Sequence, residues 1–133
     1  MERILADTSF IYALLDRSDN NFTQAVASLR TLAEKRWEPF LTNFVVAEVY
    51  ALILSRLGMD VAFSWLEKSI WPVERVGAED EVAAREILKR YKDKSVSYVD
   101  ACSFAVLNRL GCRRVLSFDA HFRQYGFADG LDG

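Results

Sequence analysis

Short apolar runs of strand length alternate along this chain with longer segments in which apolar residues recur at helical spacing. The candidate strands read RILA at 3–6, EPFLTN at 38–43, IWPVERVG at 70–77 and RRVLSF at 113–118, and the polar tail at 126–133 has room for one more. A chain that alternates strands with helices builds a parallel sheet, because each helix carries the chain back before the next strand. The sequence therefore predicts an α/β fold with a central parallel sheet of four or five strands, flanked by helices on both faces.

Helix ends are marked by glycine and by charge. Gly58 and Gly111 each follow an apolar helical segment, and glycine commonly ends a helix. In the amphipathic segment 79–91 acids come first and bases last, as the helix dipole favours. These patterns predict helices over 8–15, 22–36, 43–57, 60–69, 79–91 and 98–110, with a short one in AHFRQY.

Size and composition are those of a folded protein with one core. The chain has 133 residues, of which 51% are hydrophobic and 27% charged. Its apolar runs are far shorter than a membrane span, and a charged N-terminus with Asp7 in the first apolar stretch is unlike a secretory signal. We therefore expect one domain over 1–133, in the cytoplasm and not in a membrane. A net charge of −2 offers no overall basic surface for nucleic acid.

Cysteine and histidine are too scarce for a zinc site. Cys102 and Cys112 are too few and too far apart for a zinc ribbon, and His121 is the only histidine. A metal ion bound to this chain would have to be a hard ion held by oxygen ligands. The carboxylates are therefore the side chains to consider.

Three acids stand where helices begin. Asp7 and Asp119 each follow a predicted strand, and parallel α/β sheets place their ligand sites at the carboxyl ends of strands. Asp100 comes three residues after Ser97, in an arrangement like a capping box. Each acid has an alternative role as a helix cap, which stabilises by about 1 kcal/mol. Position alone does not separate a cap from a ligand.

Glu48 has no such alternative. It lies in the middle of NFVVAEVYALILSRL, and its neighbours at helical spacing are all apolar: Phe44, Val45, Ala51 and Leu52. We expect its carboxylate to project from the apolar face of a core helix, where an unpaired charge costs on the order of several kcal/mol. Its partner would be either an Arg or Lys elsewhere in the chain or a metal ion.

The acids become informative as a set. Four carboxylates at one end of a sheet repel one another, and a divalent cation relieves that repulsion. Mg²⁺ and Mn²⁺ prefer oxygen ligands, and such ions activate water and stabilise charge on a phosphoryl group. The candidate catalytic and metal-ligating residues are Asp7, Glu48, Asp100 and Asp119, with Mg²⁺ or Mn²⁺ as the cofactor.

Four motifs in this order resemble those of the PIN domain, most closely the toxin subunits of VapBC toxin–antitoxin pairs. The motifs are ADTSFIYALLD at 6–16, NFVVAEVYALI at 43–53, SVSYVDACSFAVL at 95–107 and VLSFDAHF at 115–122. Each contains one of the acids, and the first and third also contain Ser9 and Ser97. The resemblance spans essentially the whole chain. One departure is the loop DRSDNNFTQA, where relatives often carry a histidine and this chain has Asn20 and Asn21.

The resemblance implies a single PIN-like domain that acts as a Mg²⁺- or Mn²⁺-dependent ribonuclease and leaves 3′-hydroxyl and 5′-phosphate ends. It also implies a cognate antitoxin that blocks the acidic site, and a homodimer. Ser9 and Ser97 are candidates for orienting water or the carboxylates, and capping is their alternative role. A non-catalytic PIN-like module that binds RNA or protein, and a housekeeping RNA-processing nuclease, are the remaining alternatives.

Basic clusters and the histidine complete the expectations. LKRYKDK at 88–94 and RLGCRR at 109–114 are candidate contacts for an RNA backbone, with Tyr91 available for stacking, and their alternative is a solvated surface. His121 is expected to be structural, fixing the turn after the strand, because its spacing from Asp119 directs it elsewhere on a helical turn.

Two other α/β families fit less well. A receiver domain would need a lysine after a late strand, and VLSFDAHF has none. A haloacid-dehalogenase-type phosphatase would need Asp-x-Asp after the first strand, where this chain has Asp7, Thr8 and Ser9.

Overall fold

The computed structural model describes residues 2–68 and 70–129. The strands are β1 (Arg3–Ala6), β2 (Glu38–Thr42), β3 (Val73–Glu74), β4 (Arg114–Leu116) and β5 (Ala128–Asp129). The helices are α1 (Thr8–Leu15), α2 (Phe22–Lys35), α3 (Asn43–Leu57), α4 (Met59–Lys68), α5 (Ala78–Arg90), α6 (Tyr98–Leu110) and α7 (His121–Tyr125), with a 3₁₀ turn at Lys92–Lys94. Within these ranges, none of the helices combines the length and the apolar character needed to cross a membrane.

The five strands form one parallel sheet in the order β3-β2-β1-β4-β5. Strand β1 is central, with Leu5 paired to Phe40 of β2 on one side and to Val115 of β4 on the other. Because all strands run the same way, the carboxyl ends of β1 and β4 lie side by side. The predicted parallel α/β fold is confirmed, and the last short strand expected in the tail is β5.

Each face of the sheet is covered by its own group of helices. Successive residues of a strand point to opposite faces. Ile4 and Leu41 accordingly pack with α1 to α4 in one core, whereas Leu5, Phe40 and Val115 pack with α5 to α7 in another. With both faces covered, the ends of the strands are left to carry functional side chains.

Capping side chains begin three of the helices. Asp7, Thr42 and Ser97 each accept a hydrogen bond from a backbone N–H in the first turn of α1, α3 and α6, respectively. These three helices have the predicted bounds. Helix α2 ends one residue earlier than predicted, α5 begins and ends one residue earlier, and α4 begins one residue earlier, while residue 69, its predicted end, lies outside the described residues. Strand β2 begins at Glu38, where the Glu38 N–H donates to the Glu2 carbonyl (2.8 Å) before Pro39 removes a donor.

Candidate active site

A cavity of about 410 Å³ opens where the carboxyl ends of β1 and β4 meet the first turns of α1 and α6. All six residues proposed from the sequence line it: Asp7, Ser9, Glu48, Ser97, Asp100 and Asp119. The remaining lining residues are Thr8, Tyr12, Asp19, Asn21, Leu52, Arg56, Ser95 and His121. The structure therefore brings together acids that are far apart in the sequence.

Asp7 is both a helix cap and a wall of the cavity. Its backbone N–H donates to the Leu116 carbonyl (3.1 Å), which fixes the residue between β1 and β4. Its Oδ1 accepts hydrogen bonds from the Phe10 N–H (2.9 Å) and the Ser9 hydroxyl (2.7 Å). Burial raises the pKa of Asp7 to about 6, although these hydrogen bonds oppose the rise. The capping role and the site role are compatible in this residue.

Two hydroxyl groups hold the acids of β1 and β4 together. Ser117 donates to Asp7 Oδ2 and accepts from the Asp119 N–H (2.9 Å), while Ser9 Oγ accepts from the Phe118 N–H (2.9 Å). Ser9 thus orients a carboxylate, as one of its two expected roles requires. Sequence reasoning missed Ser117, although a serine hydroxyl in a turn commonly accepts a hydrogen bond from the backbone N–H two residues on, as Ser117 does here.

The loop after β4 directs both of its polar side chains into the cavity. Asp119 Oδ1 accepts from the His121 N–H (2.9 Å), so Asp119 organises the start of α7 from one position before its N-cap, Ala120. The prediction that His121 points away from Asp119 is wrong. Because the bond to its N–H folds this residue back toward Asp119, its Nδ1 lies 3.1 Å from Asp119 Oδ1 and 3.5 Å from Asp100 Oδ2.

Asp100 lies in the first turn of α6. Its N–H donates to the Ser97 hydroxyl (3.0 Å), so Ser97 caps the helix as one alternative expected. Burial raises the pKa of Asp100 to about 7, and the negative charges of Asp119 and Asp7 add to the rise. A carboxyl group that resists ionisation among other acids is one that a cation would bind.

Glu48 faces the cavity from the middle of α3. The prediction that it lies on the buried face of this helix is wrong. The helix buries Val45, Val49 and Ile53, whereas Glu48 is half-buried on the neighbouring side. The apolar residues around Glu48 do not make its own face a core face, because α3 is apolar on more than one side. Its Oε1 accepts a hydrogen bond from the Thr8 hydroxyl, a partner that sequence reasoning missed.

The sequence left open an ion pair between Glu48 and a lysine or arginine, and the structure does not show one among the described residues. Thr8 directly follows Asp7, so the first motif supplies a hydroxyl to each of two acids, Thr8 to Glu48 and Ser9 to Asp7.

Arg56 brings a positive charge to the cavity wall and was also missed. It stands two helical turns after Glu48 on α3, so both side chains reach the same cavity. Its guanidinium lies 5.0 Å from the centre of the Tyr12 ring, and the Tyr12 hydroxyl donates to Asp16 Oδ2 (2.6 Å). This placement suits a contact to the phosphate of a bound substrate.

The two basic clusters differ in position. Segment 109–114 lies at the end of α6 and the start of β4, whereas the cavity lies at the start of α6 and the end of β4. Segment 88–94 instead leads into Ser95 at the cavity, with Lys92 and Lys94 exposed. Tyr91 was expected to be available for stacking on a base. Instead its ring is half-buried against Tyr125, with ring centres 5.2 Å apart.

The donor set fits a divalent cation. Carboxylate oxygens converge here from four segments of the chain, and ligand atoms of Asp100, Asp119 and His121 all lie within 4.8 Å of one another. Hard divalent cations take such oxygens, and the buried Nδ1 of His121 has no hydrogen-bond partner among the described residues. The arrangement is suited to hold one or two such ions against an anionic substrate.

Comparisons of the sequence and the structure with known proteins both point to the PIN-domain family. The sequence profile of the PIN domain matches residues 4–128. The 23S rRNA-specific endonuclease VapC20 of Mycobacterium tuberculosis is 33% identical over 129 residues, which cover 95% of this chain and 96% of that protein.

Solved structures with this fold agree. The crystal structure of Mycobacterium tuberculosis VapC20, described as a sarcin–ricin loop cleaving toxin, has a TM-score of 0.83 at 32% identity and covers 94% of this chain and 96% of that one. VapBC2 from Rickettsia felis, bound to a promoter DNA fragment, has a TM-score of 0.71 at 12% identity, with 92% of each chain covered. FitAcB from Neisseria gonorrhoeae has a TM-score of 0.66 at 24% identity, with 96% of each covered. These last two likenesses concern the fold alone.

Proposed function

Because this chain belongs to the PIN-domain family, we propose that it is a Mg²⁺- or Mn²⁺-dependent endoribonuclease and the toxin of a toxin–antitoxin pair. The observation that carries the proposal is the convergence of Asp7, Glu48, Asp100 and Asp119 on one cavity. In the described ranges none of these acids is paired with a lysine or arginine. We also propose that residues 1–133 are one PIN-like nuclease domain.

Hydroxyl groups position two of the four candidate ligands before a cation binds. When bound, the cation supplies a water of lowered pKa and neutralises charge on the phosphoryl group. Asp7, Glu48, Asp100 and Asp119 are its candidate ligands. Ser9 and Ser117 hold Asp7 in place, and Thr8 holds Glu48, so the oxygens are positioned before the ion arrives.

RNA would be held beside the acids by the positive side chains at the rim. Arg56 lines the cavity, and Lys92 and Lys94 are exposed just before Ser95, which also lines it. These groups offer phosphate contacts without sequence readout. Since the Mycobacterium tuberculosis relative is a 23S rRNA-specific endonuclease, a ribosomal RNA stem-loop is the first substrate to test.

Protein partners are the second part of the proposal. We expect an antitoxin that covers the acidic cavity and a homodimer, both in the cytoplasm. Large apolar side chains on α4 support a protein contact, because Met59 is 60% exposed and Phe63 55% exposed. Exposed apolar side chains of this size are common at protein interfaces.

The test is cleavage of a ribosomal RNA stem-loop by purified, antitoxin-free protein with Mg²⁺ or Mn²⁺. We expect cleavage that EDTA abolishes and that Glu48→Gln loses. Glu67→Gln, an exposed position on α4, is the matched control and should cleave like the wild type. Cleavage that survives in Glu48→Gln would mean that this cavity is not the active site. Absence of both cleavage and Mn²⁺ binding would point to a non-catalytic binding module.

A further inference from the structure

The Nδ1 atom of His121 lies close to two carboxylates, in a geometry that makes a regular hydrogen bond to neither. This nitrogen is 3.1 Å from Asp119 Oδ1 and 3.5 Å from Asp100 Oδ2. The atom is buried and has no hydrogen-bond partner in the described part of the chain. Buried polar atoms are nearly always satisfied, so an orphan of this kind calls for a ligand or a proton.

The spacing of these atoms matches a coordination shell. In an octahedral site with metal–ligand distances of about 2.1 Å, neighbouring ligand atoms lie about 3.0 Å apart and opposite ones about 4.2 Å. The separations from Nδ1 are 3.1 Å and 3.5 Å, close to the spacing of neighbouring ligands, and each of the three residues offers a ligand atom within 4.8 Å of those of the other two. One cation can therefore reach all three with small adjustments.

The backbone fixes the histidine in this position. The His121 N–H donates to Asp119 Oδ1 (2.9 Å), and Asp119 is held in turn by its own N–H bond to Ser117 (2.9 Å). Phe122, the next residue, is fully buried and packs edge-on against Phe104 with ring centres 5.0 Å apart. The start of α7 is thus anchored on both sides of the imidazole.

We propose that His121, through Nδ1, is a direct ligand of a divalent cation that Asp100 and Asp119 also hold, and that this nitrogen makes the position prefer Mn²⁺ to Mg²⁺. Mg²⁺ takes oxygen ligands, whereas imidazole is a ligand of first-row transition ions, among them Mn²⁺. The inference rests on the metal dependence in the proposed function. Its rival is a protonated imidazole that pairs with both carboxylates and contacts no metal.

The decisive measurement needs no mutation. Protein without an affinity tag is loaded with one equivalent of Mn²⁺, and electron spin echo envelope modulation detects nitrogen bound to the ion. Because His121 is the only histidine, growth on ¹⁵N-histidine labels this side chain alone. We expect a ¹⁴N coupling in unlabelled protein that becomes a ¹⁵N coupling after labelling. A spectrum that labelling leaves unchanged would overturn the proposal.

Calorimetric titration with MnCl₂ and with MgCl₂ tests the preference. In His121→Gln we expect the Kd for Mn²⁺ to rise by about tenfold or more, and the Kd for Mg²⁺ by less than about threefold. Gln124→Ala, at an exposed position of the same helix, is the control and should bind both ions like the wild type. Equal weakening for both ions would assign His121 a structural role instead.

These outcomes separate the ligand from the nuclease. Histidine-bound Mn²⁺ without RNA cleavage would refute the proposed function and leave the ligand assignment standing. Cleavage with Mn²⁺ but without a histidine signal would do the reverse. Failure of the wild type to bind Mn²⁺ would refute both.

Discussion

Two groups of carboxylates share helix α6 but differ in their partners. Near the end of the helix, Arg109 contacts Asp80 (2.9 Å) and Glu74 (3.3 Å), and Glu74 also contacts Arg3 (3.4 Å). At its start, Asp100 faces Asp119, Asp7 and Glu48. We call the first group the paired cluster and the second the cavity cluster.

The difference appears in the acidity of the two groups. Burial acts to raise the pKa of Asp80, but hydrogen bonds from Arg109 and from the Gly77 N–H outweigh it, and the pKa is lowered. In the cavity cluster burial prevails, and the pKa values of Asp7 and Asp100 rise to about 6 and about 7. The paired cluster is complete within the chain, while the cavity cluster gains from a cation that the chain does not supply.

The largest expected effect comes from neutralising the cavity cluster. Asp100→Asn should lower RNA cleavage by at least about 10²-fold, because it removes a metal ligand. In the presence of EDTA at pH 8 the same variant should be more stable than the wild type by about 1 kcal/mol, because it removes a repelling charge. Cleavage assays and urea unfolding measure the two effects. Asp93→Asn, an exposed site, is the control. A metal-free variant that is less stable than wild type would contradict the comparison.

Neutralising the paired cluster should have the opposite effect on stability. Asp80→Asn should destabilise the protein by about 2 kcal/mol, because Arg109 loses a charged hydrogen-bond partner. Cleavage at a temperature well below unfolding should stay unchanged, since this cluster is outside the cavity. Urea unfolding and the cleavage assay on one preparation check both points. Unchanged stability would show that the pair contributes little.

The pH dependence should also differ between the clusters. Raised pKa values of about 6 and about 7 mean that Asp7 and Asp100 stabilise the metal-free fold at low pH, and that this stability is lost as pH rises through those values. The lowered pKa of Asp80 acts in the opposite direction. Its ionised carboxylate stabilises the fold above the ordinary pKa of aspartate, and this contribution is lost as the pH falls below that value. Calorimetry with EDTA should show a Tm that falls between about pH 4 and 7, and the increase in Tm on adding Mn²⁺ should grow over about the same range.

The smallest expected effect comes from Arg56, whose guanidinium is the one that lines the cavity in the described part of the chain. Arg56→Gln should raise KM for RNA by about three- to tenfold with little change in kcat, because a phosphate contact of about 1 kcal/mol is lost. The Kd for Mn²⁺ should not change. Arg30→Gln, exposed on α2, serves as the control. A loss confined to kcat would instead give Arg56 a role in the transition state.

Local signals in the sequence were enough for the alternation of strands and helices, which predicted the parallel sheet, and for two of the helix caps. Asp7 and Ser97 form caps with residues three positions away, and such bonds depend only on nearby chain. The acids of the cavity cluster were found because three of them stand where helices begin and the fourth interrupts an apolar helix. Their grouping could be anticipated because parallel strands end together.

Long-range partners could not be predicted in the same way. Arg109 and Asp80 are 29 residues apart, and the bond between them depends on how α5 packs on α6. The direction of His121 depends on a turn set by Asp119, and the environment of Glu48 on which side of α3 meets the core. In each case the deciding atoms belong to a different element of the fold.

The strand order has a consequence for how the protein is made. Strand β4 pairs with β1, although most of the helices lie between them in the chain, and β4 leads into the loop with Asp119, the last of the four candidate ligands to be translated. Asp7 is held by the Leu116 carbonyl and the Ser117 hydroxyl, so its final position also requires β4. While this chain is being translated, the set of candidate ligands stays incomplete until β4 and the loop after it have been added. The proposed nuclease therefore becomes competent only after β4 has been synthesised and has paired with β1.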